Sequence, residues 1–299
     1  MEHFILRRPG ADLAGYSWDI EQPKAVMILV HGLAEHAQRY GRFAQRLNEA
    51  GIAAYSVDLR GHGQSIGAAR GWFGKSGGYR TVLEDIGALA GYAKGRHEGL
   101  PCILFGHSMG SIFARAAIEE FGDEFSACVL SGVTIGVPGT RGIAPAVAWA
   151  AKLFGHDKPS GFLDNMSFGS YNRAIDHPRT KFDWLSRDEA EVDKYVSDEL
   201  CGFVATPALF QDLSVLLVRT LKPRNLARIP KALDILIISG AKDPCGNFGK
   251  DASFLDETFR KQGLNVKAKV YEDARHELLN ELNRDEVMGD IIGFLEGCM

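Results

Sequence analysis

The feature that most restricts this fold is an alternation of short, nearly unbroken apolar runs with longer stretches of helical periodicity. The runs are Ala25 to Val30, Ala53 to Val57, Cys102 to Phe105 and Ala127 to Leu130, each followed by Gly and polar residues. A strand that is apolar on both faces has to be covered on both faces, so these runs predict buried parallel strands rather than one-sided hairpins. Helical patterns fill the gaps at Phe43 to Ala50, Thr81 to Lys94 and Ser111 to Phe121, and Gly51, Gly95 and Gly122 stand where left-handed caps are expected. Strand, helix and strand in succession imply right-handed crossovers and an α/β, mostly parallel, doubly wound sheet.

From 133 to 228 the alternation stops. This stretch holds the apolar run Ala144 to Phe154, an acidic helix candidate at Arg187 to Tyr195 and an apolar one near Phe210 to Leu217. It is expected to be a mostly helical cap inserted into an α/β core made of residues 1–132 and 229–299. The strand pattern resumes at Ile235 to Ile238 and Val266 to Tyr271, and a last helix is expected over Arg284 to Leu295. With 299 residues, 45% of them hydrophobic, the chain can bury a large core without disulfides or metals.

A net charge of -4, with Lys and Arg scattered, leaves no basic field for a polyanion, so no nucleic-acid partner is expected. The five cysteines are odd in number, far apart and form no C-x-x-C pair, which points to a reducing compartment. The N-terminal MEHFILRRPG lacks the order of a signal peptide, and no apolar run approaches the roughly 20 residues of a membrane span. Cytoplasmic residence is the expectation. The sequence leaves the oligomeric state open.

The strongest chemical signal is Gly106-His107-Ser108-Met109-Gly110, a G-x-S-x-G placed between the strand CILF and a helix. A serine hydroxyl is a poor nucleophile unless a sharp turn exposes it beside a base, and flanking glycines permit such a turn. Strand, turn and helix with a passive Ser would be the bland alternative. Partners follow in the expected order of acid and then histidine: Asp243 in SGAKDP after one strand, His276 in EDARHE after the next. Both sit at carboxyl ends of strands, where α/β sheets place ligands. Asp273 is a rival acid within the His276 loop, but an acid on the neighbouring strand can support the ring from behind, which favours Asp243. His107, inside the turn, is expected to face away from the nucleophile, and structural roles are expected for His31 and His62 as well. Gly32 follows the strand AVMILV and permits close backbone approach, so the N–H groups of Leu33 and Met109 are candidates for an oxyanion hole.

Weaker matches fail on spacing. Gly61-His62-Gly63 lacks its third Gly at the right place, Gly74-Lys75-Ser76 has Ala69 where a phosphate loop needs Gly, and His276-Glu277-Leu278-Leu279-Asn280 lacks the second zinc-binding imidazole. Asn165-Met166-Ser167 spells a glycosylation acceptor but lacks the secretory context that would make it one. No cofactor and no metal is implied.

Taken together, HGLAEHAQRY, DLRGHGQS, GHSMGS, SGAKDP and ARHELLNE resemble the monoacylglycerol lipase and lysophospholipase group of α/β-hydrolases, of serine aminopeptidase S33 type. The motifs run from 31 to 280. Position by position the resemblance implies Ser108 as nucleophile, Asp243 as acid, His276 as base and Leu33 and Met109 as oxyanion donors, with His31, Gly32, Glu35, His36, Arg39 and His107 in support. The group often carries a smaller residue where Leu33 stands, so the Leu is expected to narrow one wall of the pocket. The implied reaction is hydrolysis of a carboxylic ester through an acyl-enzyme, on a small-molecule substrate carrying an acyl chain, with transient contact between the cap and a lipid surface. Two other readings stay open: a general carboxylesterase, thioesterase or peptidase, and a binding protein that keeps the fold with little turnover.

Overall fold

The computed structural model describes residues 1–67, 69–74, 77–136 and 155–299. The apolar run Ala144 to Phe154, and Lys75 and Ser76 of the phosphate-loop match, lie outside the described residues. Eight strands form one sheet in the order β1-β2-β4-β3-β5-β6-β7-β8, with β1, β2 and β4 paired antiparallel and all other neighbours parallel. The parallel strands are β3 (Ala25–Val30), β4 (Ile52–Val57), β5 (Cys102–His107), β6 (Ala127–Ser131), β7 (Asp234–Gly240) and β8 (Asn265–Tyr271).

Two-sided burial explains the continuous apolar runs. Along β3, Val26, Ile28 and Val30 face one core cluster, while Ala25, Met27 and Leu29 face the other. The first cluster packs against α2 (Gly78–Arg96) and α3 (Met109–Phe121), the second against α1 (Gly41–Glu49) and α9 (Arg284–Glu296). In α2, Val82, Leu83, Ile86, Leu89, Ala90 and Ala93 are buried at helical spacing, so one stripe faces the sheet. Between β6 and β7 run α4 (Gly161–Phe168), α5 (Glu189–Ser197), α6 (Pro207–Arg219) and the one-turn α7 (Pro223–Leu226). Thr206 caps α6 through its side chain and Pro207 opens it, the pattern a helix start favours.

The structure adds three elements that the apolar runs did not announce. β1 (Glu2–Arg8) and β2 (Ala11–Trp18) form a hairpin through Pro9-Gly10, where Gly10 has φ +72° as a Pro-Gly turn requires. α8 (Lys250–Lys261) connects β7 to β8 and buries Ala252, Leu255 and Phe259. Two expected caps are corrected. Gly95 lies inside α2, which runs on to Arg96, and the left-handed residue is Gly99 at φ +78°. Gly122 has φ -60° because a 3-10 turn continues from α3, and its lack of a side chain matters because a Cβ there would lie 2.5 Å from Pro230. Gly51, at φ +82°, is left-handed as expected.

Chain order places the site. The sheet reverses its winding at β3, which lies between β4 and β5, and the register Val30↔Gly106 sets the carboxyl ends of β3 and β5 side by side. A crevice outside the strand ends at such a switch point is where this architecture holds ligands.

Candidate active site

β5 passes directly into α3 through Ser108, which has φ 53° and ψ -117°. That backbone is costly for a non-glycine residue, of order 1–3 kcal/mol, and persists only where the surroundings over-determine it. They do so here. The Ser108 N–H donates to Ser131 O at 2.9 Å, and its carbonyl accepts from Ser111 N at 2.9 Å and from Ser111 Oγ at 2.7 Å. A Cβ at Gly110 would lie 2.1 Å from Val30 O, so only glycine lets α3 approach β3 this closely. The turn leaves Ser108 half-buried, facing the cavity at the amino end of α3.

The loop after β3 sits against this turn. A Cβ on Gly32 would lie 3.3 Å from Ser108 Cβ and 2.7 Å from Glu35 Oε1, and the Gly32 N–H donates to that same oxygen at 2.5 Å. Ala34 takes φ 56°, and its carbonyl accepts from Tyr195 Oη at 2.8 Å and Gly202 N at 2.9 Å. Among the described residues, neither Leu33 N–H nor Met109 N–H donates to another backbone carbonyl.

The two residues expected from the β7 and β8 loops meet. His276 Nδ1 and Asp243 Oδ2 are 2.8 Å apart, His276 is 2% exposed and Asp243 fully buried. Asp273 points into solvent, as its exposure shows. Burial pushes the His276 imidazole toward neutrality, but the Asp243 carboxylate, its hydrogen bond, and Glu277 and Glu35 outweigh that, leaving its pKa above the ordinary value. Trp184 packs on the ring at 5.0 Å between centroids and His107 at 4.9 Å.

His107 therefore corrects an expectation. Its ring does not turn away but lines the cavity beside Ser108 and against His276. The reason lies across the sheet: a Cβ at Gly132 would come within 2.9 Å of His107 Cε1 and 3.1 Å of His276 Cε1, so glycine there makes room for both rings. Burial first, then the neighbouring His276, push His107 down to about 4, so it stays neutral near pH 7. His31 hydrogen-bonds Gly32 O through Nδ1 and accepts from Leu59 N at Nε2, and His62 contacts Arg60 O, so both hold backbone. His36 reaches Asp198 at 2.8 Å.

Behind the base lies a buried ion cluster. Arg39 Nη1 donates to Glu35 Oε2 at 2.6 Å and to Glu277 Oε1 at 2.7 Å, and Nη2 donates to Glu277 Oε2 at 2.6 Å. Burial would raise the Glu35 carboxyl, but Arg39 above all, then His107, His31 and the Gly32 N–H, bring it down to about 2. One guanidinium thereby ties the loop after β3 to the loop that carries His276.

Glu35, His107, Ser108, His276 and Glu277 border a cavity of about 300 Å³, lined on its apolar side by Leu33, Phe168, Phe182, Trp184, Leu185 and Phe203. Leu33 forms part of its wall, as expected. Two sets of metal-ligating side chains come within 4.8 Å among the described residues, Asp243 with Cys245 and His276, and His36 with Asp198 and Cys201. In each, the carboxylate already accepts from an imidazole at 2.8 Å. The glycines at 61 and 63 admit other parts of the chain: a Cβ at Gly61 would lie 2.6 Å from Trp72 N, and one at Gly63 2.1 Å from Asp58 Oδ2, which accepts from Gln64 N at 2.8 Å.

Known proteins share this arrangement of the chain. Residues 21–283 match the family described as serine aminopeptidase, S33. A monoacylglycerol lipase of Mycolicibacterium smegmatis is 30% identical over 91% of this chain and 88% of its own length. The monoglyceride lipase of Homo sapiens is 27% identical over 87% of this chain and 78% of its own. Among solved structures, a thermostable carboxyl esterase of Bacillus coagulans in complex with glycerol superposes with a TM-score of 0.93 at 26% identity, covering 99% of this chain and 98% of that one. The chain belongs to the serine aminopeptidase S33 family of α/β-hydrolases and is an ester hydrolase of the lipase and esterase kind.

Proposed function

We propose that the protein hydrolyses esters carrying a single acyl chain, of the monoacylglycerol or lysophospholipid kind, with Ser108 as nucleophile, His276 as base and Asp243 as the acid that orients it. The observation that carries this reading is the 2.8 Å His276–Asp243 contact beside the same cavity into which the strained Ser108 turn opens. His276 Nε2 takes the hydroxyl proton as Ser108 Oγ attacks the ester carbonyl, and Asp243 holds Nδ1–H and steadies the imidazolium. The carbonyl oxygen, now negative, accepts from Leu33 N–H and Met109 N–H, each donor contributing about 3 kcal/mol in the transition state. Collapse expels the alcohol, which leaves with the proton from His276. Water then attacks the acyl-serine with His276 again as base, and the fatty acid departs.

The substrate class rests on the lining and on the relatives. Leu33, Phe168, Phe182, Trp184, Leu185 and Phe203 give the cavity an apolar side that suits an acyl chain, beside the polar Asp164, Asn165, Asn172 and Lys181. The monoacylglycerol lipase of M. smegmatis carries the same class in its name. In this reading residues 133–228 cap the strand ends, and the exposed Phe162 and Met166, one turn apart on α4, support contact of that rim with a lipid surface. Among the described residues no helix is long and apolar enough to cross a membrane. All five cysteines are free thiols, with Cys102 and Cys128 buried, which supports residence in a reducing compartment such as the cytoplasm.

A panel of monoacylglycerols and nitrophenyl esters of increasing chain length, run on wild type and Ser108→Ala with fluorophosphonate labelling, tests the proposal. Ser108→Ala is expected to lose about 10⁴-fold or more in kcat and all labelling. Comparable turnover by the mutant would overturn the assignment of the nucleophile, and a preference for short nitrophenyl esters over every monoacylglycerol would favour a general carboxylesterase.

A further inference from the structure

The base loop is held by a segment that belongs to neither its strand nor its helix. Between α4 and α5, residues Asp183–Leu185 form a 3-10 turn that runs on through Ser186, Arg187 and Asp188. The Glu277 N–H donates to Leu185 O at 2.7 Å, and Arg275 Nη1 donates to Asp183 O at 2.7 Å and Ser186 O at 2.9 Å. Ser186 Oγ donates to Asn280 O at 2.8 Å, and Arg284 Nη1 donates to Asp188 Oδ2 at 2.7 Å. At the centre is Glu281, a fully buried carboxylate. Its Oε1 accepts from Arg275 N at 2.8 Å and Arg187 N at 3.1 Å, and its Oε2 accepts from Arg187 Nε and Leu282 N, both at 2.8 Å.

The pattern is specific about His276. Its two chain neighbours, Arg275 and Glu277, each have their N–H fixed, one by Glu281 and one by Leu185 O. The direction in which the His276 side chain leaves the backbone is set from both sides. Trp184, from the same segment, then lies against the ring. A buried carboxylate that accepts from four donors is far more than is needed to close a surface loop, since each such charge-assisted bond fixes a direction as well as a distance.

We infer that Glu281 is a positioning residue for His276 and that the segment Asp183–Asp188 is a brace of the catalytic scaffold, not a flap that lifts from it. This rests on His276 being the base. The brace holds the imidazole toward Asp243; the Glu277 carboxylate on its own loop, and Glu35 and neutral His107 from other elements, also act on the ring, with Arg39 paired to both glutamates. Loosening the loop relaxes the Asp243 contact that keeps the His276 pKa high.

The test uses the full chain with a short-chain nitrophenyl ester, which makes little use of the acyl pocket. In Glu281→Gln an amide NH₂ faces a bound N–H, and a small displacement of the base costs rate in the chemical step: kcat is expected to fall roughly tenfold to hundredfold with KM near wild type. The acid limb of the kcat profile should move to lower pH, and fluorophosphonate labelling of Ser108 should slow in proportion. A residue serving only stability would lower the melting temperature without moving the limb. Should Glu281→Gln fail to fold, Arg187→Met, which removes the side-chain donor on the brace side and keeps the backbone N–H and the carboxylate, should shift kcat and the limb in the same direction. Wild-type kcat and an unmoved limb in a folded variant whose Ser108 still labels would overturn the brace alone. Absence of labelling in wild type, or full activity of Ser108→Ala, would overturn the reading of the site and the brace with it.

Discussion

Ser108 carries two demands that a single residue seldom reconciles, since its hydroxyl must be present and its φ of 53° suits a residue without a side chain. Ser108→Gly should therefore be inactive and more stable: relief of about 1–3 kcal/mol of strain exceeds the roughly 0.5–1 kcal/mol of extra chain entropy that glycine loses. A melting temperature above wild type, by about 2–4 °C per kcal/mol at this size, is the result expected from calorimetry. At His276 the sign of the pH effect follows from its raised pKa. Below that pKa the ring is protonated and cannot accept from Ser108, so the acid limb of kcat/KM should lie above the ordinary imidazole range near 6.5. Asp243→Asn should bring the limb down and cut kcat by about 10⁴-fold. Stability runs the other way. The imidazolium–carboxylate contribution is complete below the unfolded pKa and is lost as pH rises through the folded one, so thermal scans across that window should show the His276 contribution falling as activity rises. The three side chains were legible because each follows a strand in chain order. His107 was misjudged because the space it occupies depends on Gly132, which nothing near it in the chain reveals.

At the scale of elements, legibility followed burial. The inner parallel strands, β3 to β7, are buried on both faces and announce themselves as apolar runs, whereas β8, at the sheet edge, is mostly exposed. β1 and β2 are exposed on one side and mix charges with apolar residues, so the Pro9-Gly10 turn was their clearest signal. α8 was missed because few of its residues are buried, at Asp251, Ala252, Leu255 and Phe259, amid Lys, Asp, Glu and Arg. That stripe nevertheless matters. Phe259 is fully buried, so Phe259→Ala should cost about 3–5 kcal/mol, measurable by urea unfolding. The strand-to-helix turn should be just as intolerant: with a Cβ 2.1 Å from Val30 O, Gly110→Ala must push α3 off the sheet. Overpacking of this sort costs about 1–3 kcal/mol. Because the same shift moves Ser108, activity should fall by more than the unfolded fraction accounts for.

Across the whole molecule, the site is assembled from segments far apart in the chain, and here the sequence was least informative. Arg39 was noticed only as part of a motif. Its partner Glu277 lies 238 residues away, and no spacing rule connects them. Arg39→Met would leave two carboxylates buried without their cation, a change that typically costs about 3–5 kcal/mol. Denaturant titration should show that loss, and residual activity should be restored in part by Arg39→Lys, which keeps the charge and loses the two-pronged contact. The same long closure bears on the order in which the site can form during synthesis. The serine turn at 108 precedes the histidine at 276 and the buried carboxylate at 281 by about 170 residues. On the proposed reading, a nascent chain carries its nucleophile through all of that length without the base that would use it. Hydrolysis then waits until β8 has paired with β7 and brought His276 beside Asp243.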